Sequence, residues 1–371
     1  MAKAFGIVNP SGNHIWVEGM QDYRPIGAFS FLGRYRIVDF PISNLSNSNI
    51  DRIQLFAGNN PRSLIEHVGS GRHYNINSKR GKLQILFAES QSKNDIYNTD
   101  IAAFWSNLDS IQKMKEEYVV IVPNHMIYIA NFNKLLKEHA KSGADITLLY
   151  HSIKNANTNC LNCSFLTLNR QNGVLSIATN RGSEPARDIF MDTYIMKKEL
   201  FIELIQKARS LSSMYTLAQI VNIMCEELDV RGYEHKGYFA AITNFKSYYD
   251  ANMELIDYEA TKELFIKEWP IYTRTNDSCP TQYCETADVK ESVISNGCVI
   301  EGSVENSIIG RGCVIKKGTV IKNSIILPNA RVEEGIHVEN YVVGKHSKVI
   351  HCKELIADAD TPGYVRRGDT L

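Results

Sequence analysis

From about residue 290 onward, aliphatic residues recur in steps of six, and few architectures accept that period. Ile294 and Ile300 start the series, Ile309, Ile315, Ile321 and Leu327 hold one phase, and Val332 and Val338 close it. Glycines interleave at Gly297, Gly302, Gly310, Gly312, Gly318, Gly335 and Gly344. A six-residue period with small residues at the corners is the pattern of a parallel β-helix, whose short flat faces stack aliphatics inward. The phase slips between Ile300 and Ile309 and again between Leu327 and Val332, which predicts corner loops or insertions. An irregular β-sandwich with accidental spacing would not hold one phase over four successive positions. His337, His346 and His351 fall in this region. Some β-helix acyltransferases use a histidine in a cleft between chains, but on such a surface it is more often only solvated.

The chain ahead of the repeat has a different texture. At 371 residues it is long for one core, so two domains are expected. The stretch from Met1 to Val8 is read as a first strand, since it is too short for the apolar core of a signal peptide. Asp51 to Gly58 and Leu83 to Phe87 read as further strands, and Pro61 to Val68 as a helix opened by proline. Ile101, Phe104, Leu108 and Ile111 lie at helical spacing, which predicts one helix from Asn98 to Lys115. Tyr118 to Val122 is a continuous apolar run, suited to a parallel strand buried on both faces. A hairpin turning at Asn172-Gly173 is expected between Asn162 and Ile177. Helices are expected at Glu199 to Arg209, Thr216 to Leu228 and Phe245 to Ile256. Alternating strands and helices predict a doubly wound α/β sheet. The division is 1–245 for the α/β domain, 246–280 for a connecting helix and linker, and 281–371 for the β-helix.

Charge excludes some functions. Formal net charge is zero, so no basic excess points to nucleic acid, although a small anion site needs only a few local cations. No apolar run approaches the length that spans a bilayer. The eight cysteines are scattered through a large chain, which favours reduced thiols in the cytoplasm over a disulfide framework. Cys160 and Cys163 form one CxxC; a zinc site would need a second pair, for which only Cys279 and Cys284 stand as candidates.

The chemistry concentrates in Gly33-Arg34-Tyr35-Arg36-Ile37-Val38-Asp39-Phe40-Pro41-Ile42-Ser43-Asn44-Leu45-Ser46-Asn47-Ser48-Asn49-Ile50. Two arginines offer planar forks that suit phosphate. Ile37, Val38 and Phe40 read as the entry to a core, and the Ser/Asn-rich segment as a helix start or turn. An anion-binding loop feeding a helix is the reading of these residues; a surface arginine pair beside an ordinary loop is its alternative.

This stretch resembles the "GGKYRIIDFPLSNCVNSGI" segment of bacterial glucose-1-phosphate adenylyltransferases, also called ADP-glucose pyrophosphorylases. Gly143 to Tyr150 is similar to their "GADITV" strand, Met191 to Met196 to "SMGIYVF", and Phe245 to Ile256 to "SYYEANMDLL". The family also carries an appended left-handed β-helix, used for subunit contact and regulation. The resemblance therefore implies an α/β fold: a Rossmann-like, mostly parallel nucleotidyltransferase domain followed by a left-handed parallel β-helix.

The departures fall where the family does its chemistry. Its glycine-rich phosphate loop, like "AGGQGTRL", is represented only by Asn9, Gly12 and His14, with one glycine and no arginine. Its Gly-Asp-His, whose aspartate holds Mg²⁺, is Pro123-Asn124-His125, and the second metal aspartate, in "GYWRDVGT", is Ala241. Its Glu-Lys-Pro has at best a trace in Glu184-Pro185. The segment from Arg24 is more similar to "RSVAALPFGGRYRLIDF", from the second, non-catalytic subunit found beside the enzyme in some Gram-positive bacteria.

Magnesium wants charged oxygen ligands, which Asn124 and Ala241 do not supply. The resemblance implies a degenerate regulatory subunit with no catalytic residue, metal or cofactor of its own, and with Mg²⁺ in its catalytic partner. That partner is a homologous adenylyltransferase subunit in a heterotetramer, with no nucleic acid or membrane involved. Arg24, Arg34 and Arg36 match the family's anionic effector site between the domains. Two alternatives stay open: a self-sufficient sugar-phosphate nucleotidyltransferase with displaced metal ligands, and a stand-alone metabolite sensor.

Overall fold

The structure, a computed structural model, describes residues 3–10, 12, 15–87 and 97–371; His14 lies outside them. Its first half is built on a nine-stranded sheet. Lys82–Phe87, Arg52–Ala57, Ala4–Asn9 and Tyr118–Pro123 run parallel side by side. Tyr118–Pro123 is buried along its whole length, as its unbroken apolar run requires. Beyond it the long strand Arg187–Lys197 runs antiparallel and changes neighbours midway. Its second half pairs with Tyr118–Pro123, its first half with Ser164–Leu168, and the register slips between Phe190 and Tyr194. Asp192 sits in that slip with φ +43°, a left-handed conformation that favours glycine.

Some helices depart from expectation. The predicted helix from Asn98 to Lys115 is two, Asp100–Ser106 and Leu108–Gln112. Asn107 breaks it, because its amide turns to the Phe87 and Ala103 carbonyls and its backbone leaves helical values. The helix after Thr216 stops at Met224, and the connecting segment holds a further helix, Tyr258–Leu264.

The last ninety or so residues form a parallel β-helix of three five-stranded sheets. Ile309, Ile326 and Val343 stack inward at one face, Ile315, Val332 and Val349 at the next, and Ile321 and Val338 at the third. From Ile309 onward one turn takes seventeen residues, as two steps of six and one of five, which accounts for the second phase slip; the turn before it, Ile294 to Ile309, takes only fifteen, which accounts for the first. Leu327, expected inside the β-helix, instead belongs to the core shared with the first domain; Ile326 takes the inward place.

That shared core joins the domains. Ile308, Ile325 and Val342 are outward neighbours of inward residues and lie in register on successive coils, with Tyr364 beyond them. They share one buried cluster with Phe31 of the first domain and with Tyr248, Tyr249 and Leu255 of the connecting segment. Burying each aliphatic contributes about 1.5–3 kcal/mol. Tyr249 Oη also donates to the Asn323 carbonyl at 2.5 Å.

Candidate functional site

The Gly33 motif lies in this junction. Ser30–Phe31 and Tyr35–Arg36 form a tight antiparallel hairpin whose turn places Leu32 and Gly33 at positive φ. The helix Phe245–Glu254 pins the hairpin: Tyr248 Oη donates to the Ser30 carbonyl at 2.6 Å, and Asn252 Oδ1 accepts from the Leu32 N–H at 2.9 Å. Gly33 meets the β-helix so closely that an added Cβ would stand 2.4 Å from Ser295 Oγ and 3.2 Å from the Ile309 carbonyl oxygen.

Downstream, the expectation of a helix start holds in part. Asp39–Asn47 is helical, but its buried Ser and Asn side chains do not cap it. They reach across to other segments: Asn44 Nδ2 to the Tyr128 carbonyl at 2.9 Å, and Ser46 Oγ to the Tyr74 carbonyl at 2.5 Å. Fully buried Asp39 gathers the loop. Its Oδ2 accepts from the Arg36 N–H at 2.8 Å, and its Oδ1 from His67 Nε2 at 2.7 Å and Tyr74 Oη at 2.6 Å. Asp39, His67 and His73 are, among the described residues, the one group of potential ligands lying within 4.8 Å of one another. With three donors already on Asp39, the group reads as a hydrogen-bond hub.

Between hairpin, linker and β-helix opens a cavity of about 570 Å³. Arg24, Arg34 and Arg36 all line it, together with Arg62, Arg274, Arg311, Lys345 and Arg367, whereas Glu66 is, among the described residues, the one acidic side chain on its wall. Sequence reading missed the latter five cations, but a signal for two of them exists. Arg311, Pro328 and Lys345 are spaced by seventeen residues, one coil apart, and Arg367 follows at the same corner after the register pairs Val342 with Tyr364. Coils in such stacks are about 4.8 Å apart, so these residues form a column along one edge.

The cations depress one another. Burial, and next Arg24, pulls the Arg36 guanidinium down to about 10; burial, and next Arg367, lowers Arg24. Burial, then Arg36, Arg24 and Arg367, pulls the Lys345 ammonium down to about 8. Positive charge this poorly compensated is stabilised by a bound anion. Arg36 also donates through Nη1 to the Ala28 carbonyl, which ties the cavity to the segment packed against Asn124.

The positions that the resemblance assigns to nucleotidyl transfer lie elsewhere, at the carboxyl ends of the strands. The Asn124 N–H donates to the Asn9 carbonyl at 3.0 Å, so the ends of Ala4–Asn9 and Tyr118–Pro123 are joined. Pairing of Phe239–Ala241 with Met126–Tyr128, and the Ile242 N–H on the His125 carbonyl at 2.9 Å, bring Ala241 to the same end. Gly12 is exposed, its carbonyl accepting from the Ile15 N–H at 3.1 Å. Two carboxylates lie nearby. Asp192 Oδ2 is 3.6 Å from His125 Nε2, and burial pushes its carboxyl up to about 7, with Asp100 adding to the shift. Burial likewise raises Asp100 to about 6, against hydrogen bonds from the Leu217 and Ile101 N–H groups and the Asn9 side chain. An amide, a methyl group and carboxylates already engaged in this way do not fit Mg²⁺, which needs ionised oxygens free to coordinate.

A family model described as nucleotidyl transferase matches residues 24–258, and one described as GlmU-like, C-terminal hexapeptide matches residues 279–361. The chain belongs to the nucleotidyl transferase family, with a left-handed β-helix as its second part. Along 99% of its length it is similar, at 28% identity, to the glycogen biosynthesis protein GlgD of Bacillus subtilis, covering 96% of that protein. It is 28% identical to GlgD of Geobacillus stearothermophilus, over 86% of this chain and 83% of that one. Similarity to the glucose-1-phosphate adenylyltransferase of Clostridium perfringens strain 13 is also 28%, over 82% of this chain and 78% of that one. Among the described residues no helix is long and apolar enough to cross a membrane.

Proposed function

We propose that this chain is a regulatory, catalytically degenerate subunit of a glucose-1-phosphate adenylyltransferase in glycogen biosynthesis. It pairs with a homologous catalytic subunit in a heterotetramer and answers to an anionic small molecule held between its domains. One contrast carries the reading: among the described residues eight cations face a single carboxylate in the interdomain cavity, while Asn124 and Ala241 occupy the places where the resemblance expects metal aspartates. Joining ATP to a sugar phosphate brings anions together, and Mg²⁺ normally offsets that repulsion. A chain without its metal carboxylates acts instead through its partner, with a coupling of ~1–3 kcal/mol.

The experiment assays ADP-glucose and pyrophosphate formation by the purified chain alone, by the catalytic homologue alone, and by both together. Negligible turnover alone, with altered kinetics of the mixture, is expected. Robust turnover alone overturns the reading, and unchanged mixture kinetics without a complex favours a stand-alone sensor. The alternative reading, a self-sufficient transferase with displaced ligands, would have to recruit Asp100 and Asp192 against the burial that raises both carboxyls. Mg²⁺-dependent ATP binding by the isolated chain would select it.

A further inference from the structure

Cys160 and Cys163 lie apart from the arginine-walled cavity. The Cys163 N–H donates to the Cys160 carbonyl at 3.2 Å, closing a turn in which Cys160 and Asn162 both have positive φ. Such a turn holds its end Cα atoms within about 7 Å, which overlaps the roughly 4.4–6.8 Å that a disulfide spans. The two thiols lie close enough to shift each other's acidity. The turn is clamped from behind by Asn180, whose Nδ2 donates to the Ala156 carbonyl at 2.9 Å and the Cys160 carbonyl at 3.1 Å. Its N–H donates to the Cys163 carbonyl at 2.8 Å.

The two sulfurs are unequal. Cys163 is buried, whereas Cys160 keeps part of its surface exposed. Interaction with Cys163 lowers the Cys160 thiol, and the same interaction together with burial raises Cys163. An accessible, more acidic first cysteine and a buried second one are the division of labour that dithiol exchange uses.

We propose that Cys160 and Cys163 are a redox-modification site, converted reversibly to an intramolecular disulfide by a low-molecular-weight disulfide. The Cys160 thiolate attacks one sulfur of the small disulfide, forming a mixed disulfide and expelling one thiolate, which takes up the Cys160 proton. The Cys163 thiolate then attacks Cys160 Sγ, breaks the mixed bond and expels the second thiolate, which takes up the Cys163 proton. The protein loses two electrons and two protons, and the small disulfide leaves as two thiols. Cys298 and Cys313, whose thiols donate to the Gly310 and Leu327 carbonyls, are both buried inside the β-helix and stay reduced for want of access.

The test incubates the full chain with glutathione disulfide, alkylates remaining thiols and maps the peptides by mass. Loss of alkylation at Cys160 and Cys163 together, a 160–163 linkage, and reversal by dithiothreitol are expected, while exposed Cys279 gives no 160 or 163 linkage. Cys163→Ser stops at a mixed disulfide on Cys160, and Cys160→Ser slows reaction at Cys163 at least about tenfold. Thermal unfolding of each variant checks that it folds, and the wild-type map decides the matter where one does not. Both cysteines remaining alkylatable in excess disulfide, or a linkage of Cys298 with Cys313 in their place, overturns the proposal.

Discussion

Asp192 Oδ2 stands 3.6 Å from His125 Nε2, at the point where the strand Arg187–Lys197 changes neighbours. The residue combines a left-handed backbone with a carboxyl raised to about 7 from 3.8. A folded-state value above the unfolded one means that the fold retains the proton longer. Ionisation is therefore a cost that is absent below about pH 3.8, grows between the two values and is constant above about pH 7. Asp192→Asn should raise stability at pH 8 by roughly 1–3 kcal/mol given the side chain's 29% exposure, seen as a higher Tm, and the gain should fade toward pH 4. Asp192→Gly should add ~1 kcal/mol at every pH by relieving the backbone. Melts of the three proteins from pH 4 to 8 check this; a loss at pH 8 would show that the His125 contact outweighs burial.

Lys345 gives the arginine-walled cavity a pH dependence. Its ammonium is lowered to about 8 with no ligand bound, so its positive charge is complete near pH 6 and largely gone at pH 9. Sulfate, measured by calorimetry, should bind more weakly at pH 9 than at pH 7. Lys345→Met should weaken binding at pH 7 by roughly tenfold, the worth of one charge-assisted hydrogen bond, and flatten that slope. An unaltered slope in the variant would place the titration on another group.

Gly33 makes the hairpin a domain joint. Gly33→Ala meets both a φ of +66° and a Cβ position 2.4 Å from Ser295 Oγ. A stability loss of ~2–3 kcal/mol is expected. Ser295→Ala added to it should restore only a part, since the Ile309 carbonyl and the backbone angle remain. A Tm equal to that of the parent would show that the joint gives way cheaply.

Asn124→Asp combined with Ala241→Asp restores the acidic pair but not the glycine-rich loop. Each missing electrostatic element is worth ~10²–10³-fold in rate, so the double variant should remain far below the turnover of the catalytic homologue. Steady-state ADP-glucose formation is the measurement; homologue-like rates would show that the loop matters little.

The β-helix was legible because an inward aliphatic every sixth residue is a local pattern. Its docking face was not. Ile308 and Ile309, or Ile325 and Ile326, read as equally apolar, and only the fold shows that one of each pair faces the other domain. Arg34 and Arg36 could be read as an anion loop because they lie together. Arg274 and Arg367 reach the same cavity from hundreds of residues away, and no local pattern marks them. The strain at Asp192 is equally silent in sequence, since it arises from a strand exchanging neighbours.

The column of Arg311, Pro328, Lys345 and Arg367 turns the β-helix into a ruler. Its graduations are whole coils, so deleting one coil would draw the far charge back by a fixed step, about 5 Å, without touching the hairpin that faces it. Ligand size can thus be adjusted by the length of a scaffold as well as by the residues of a pocket.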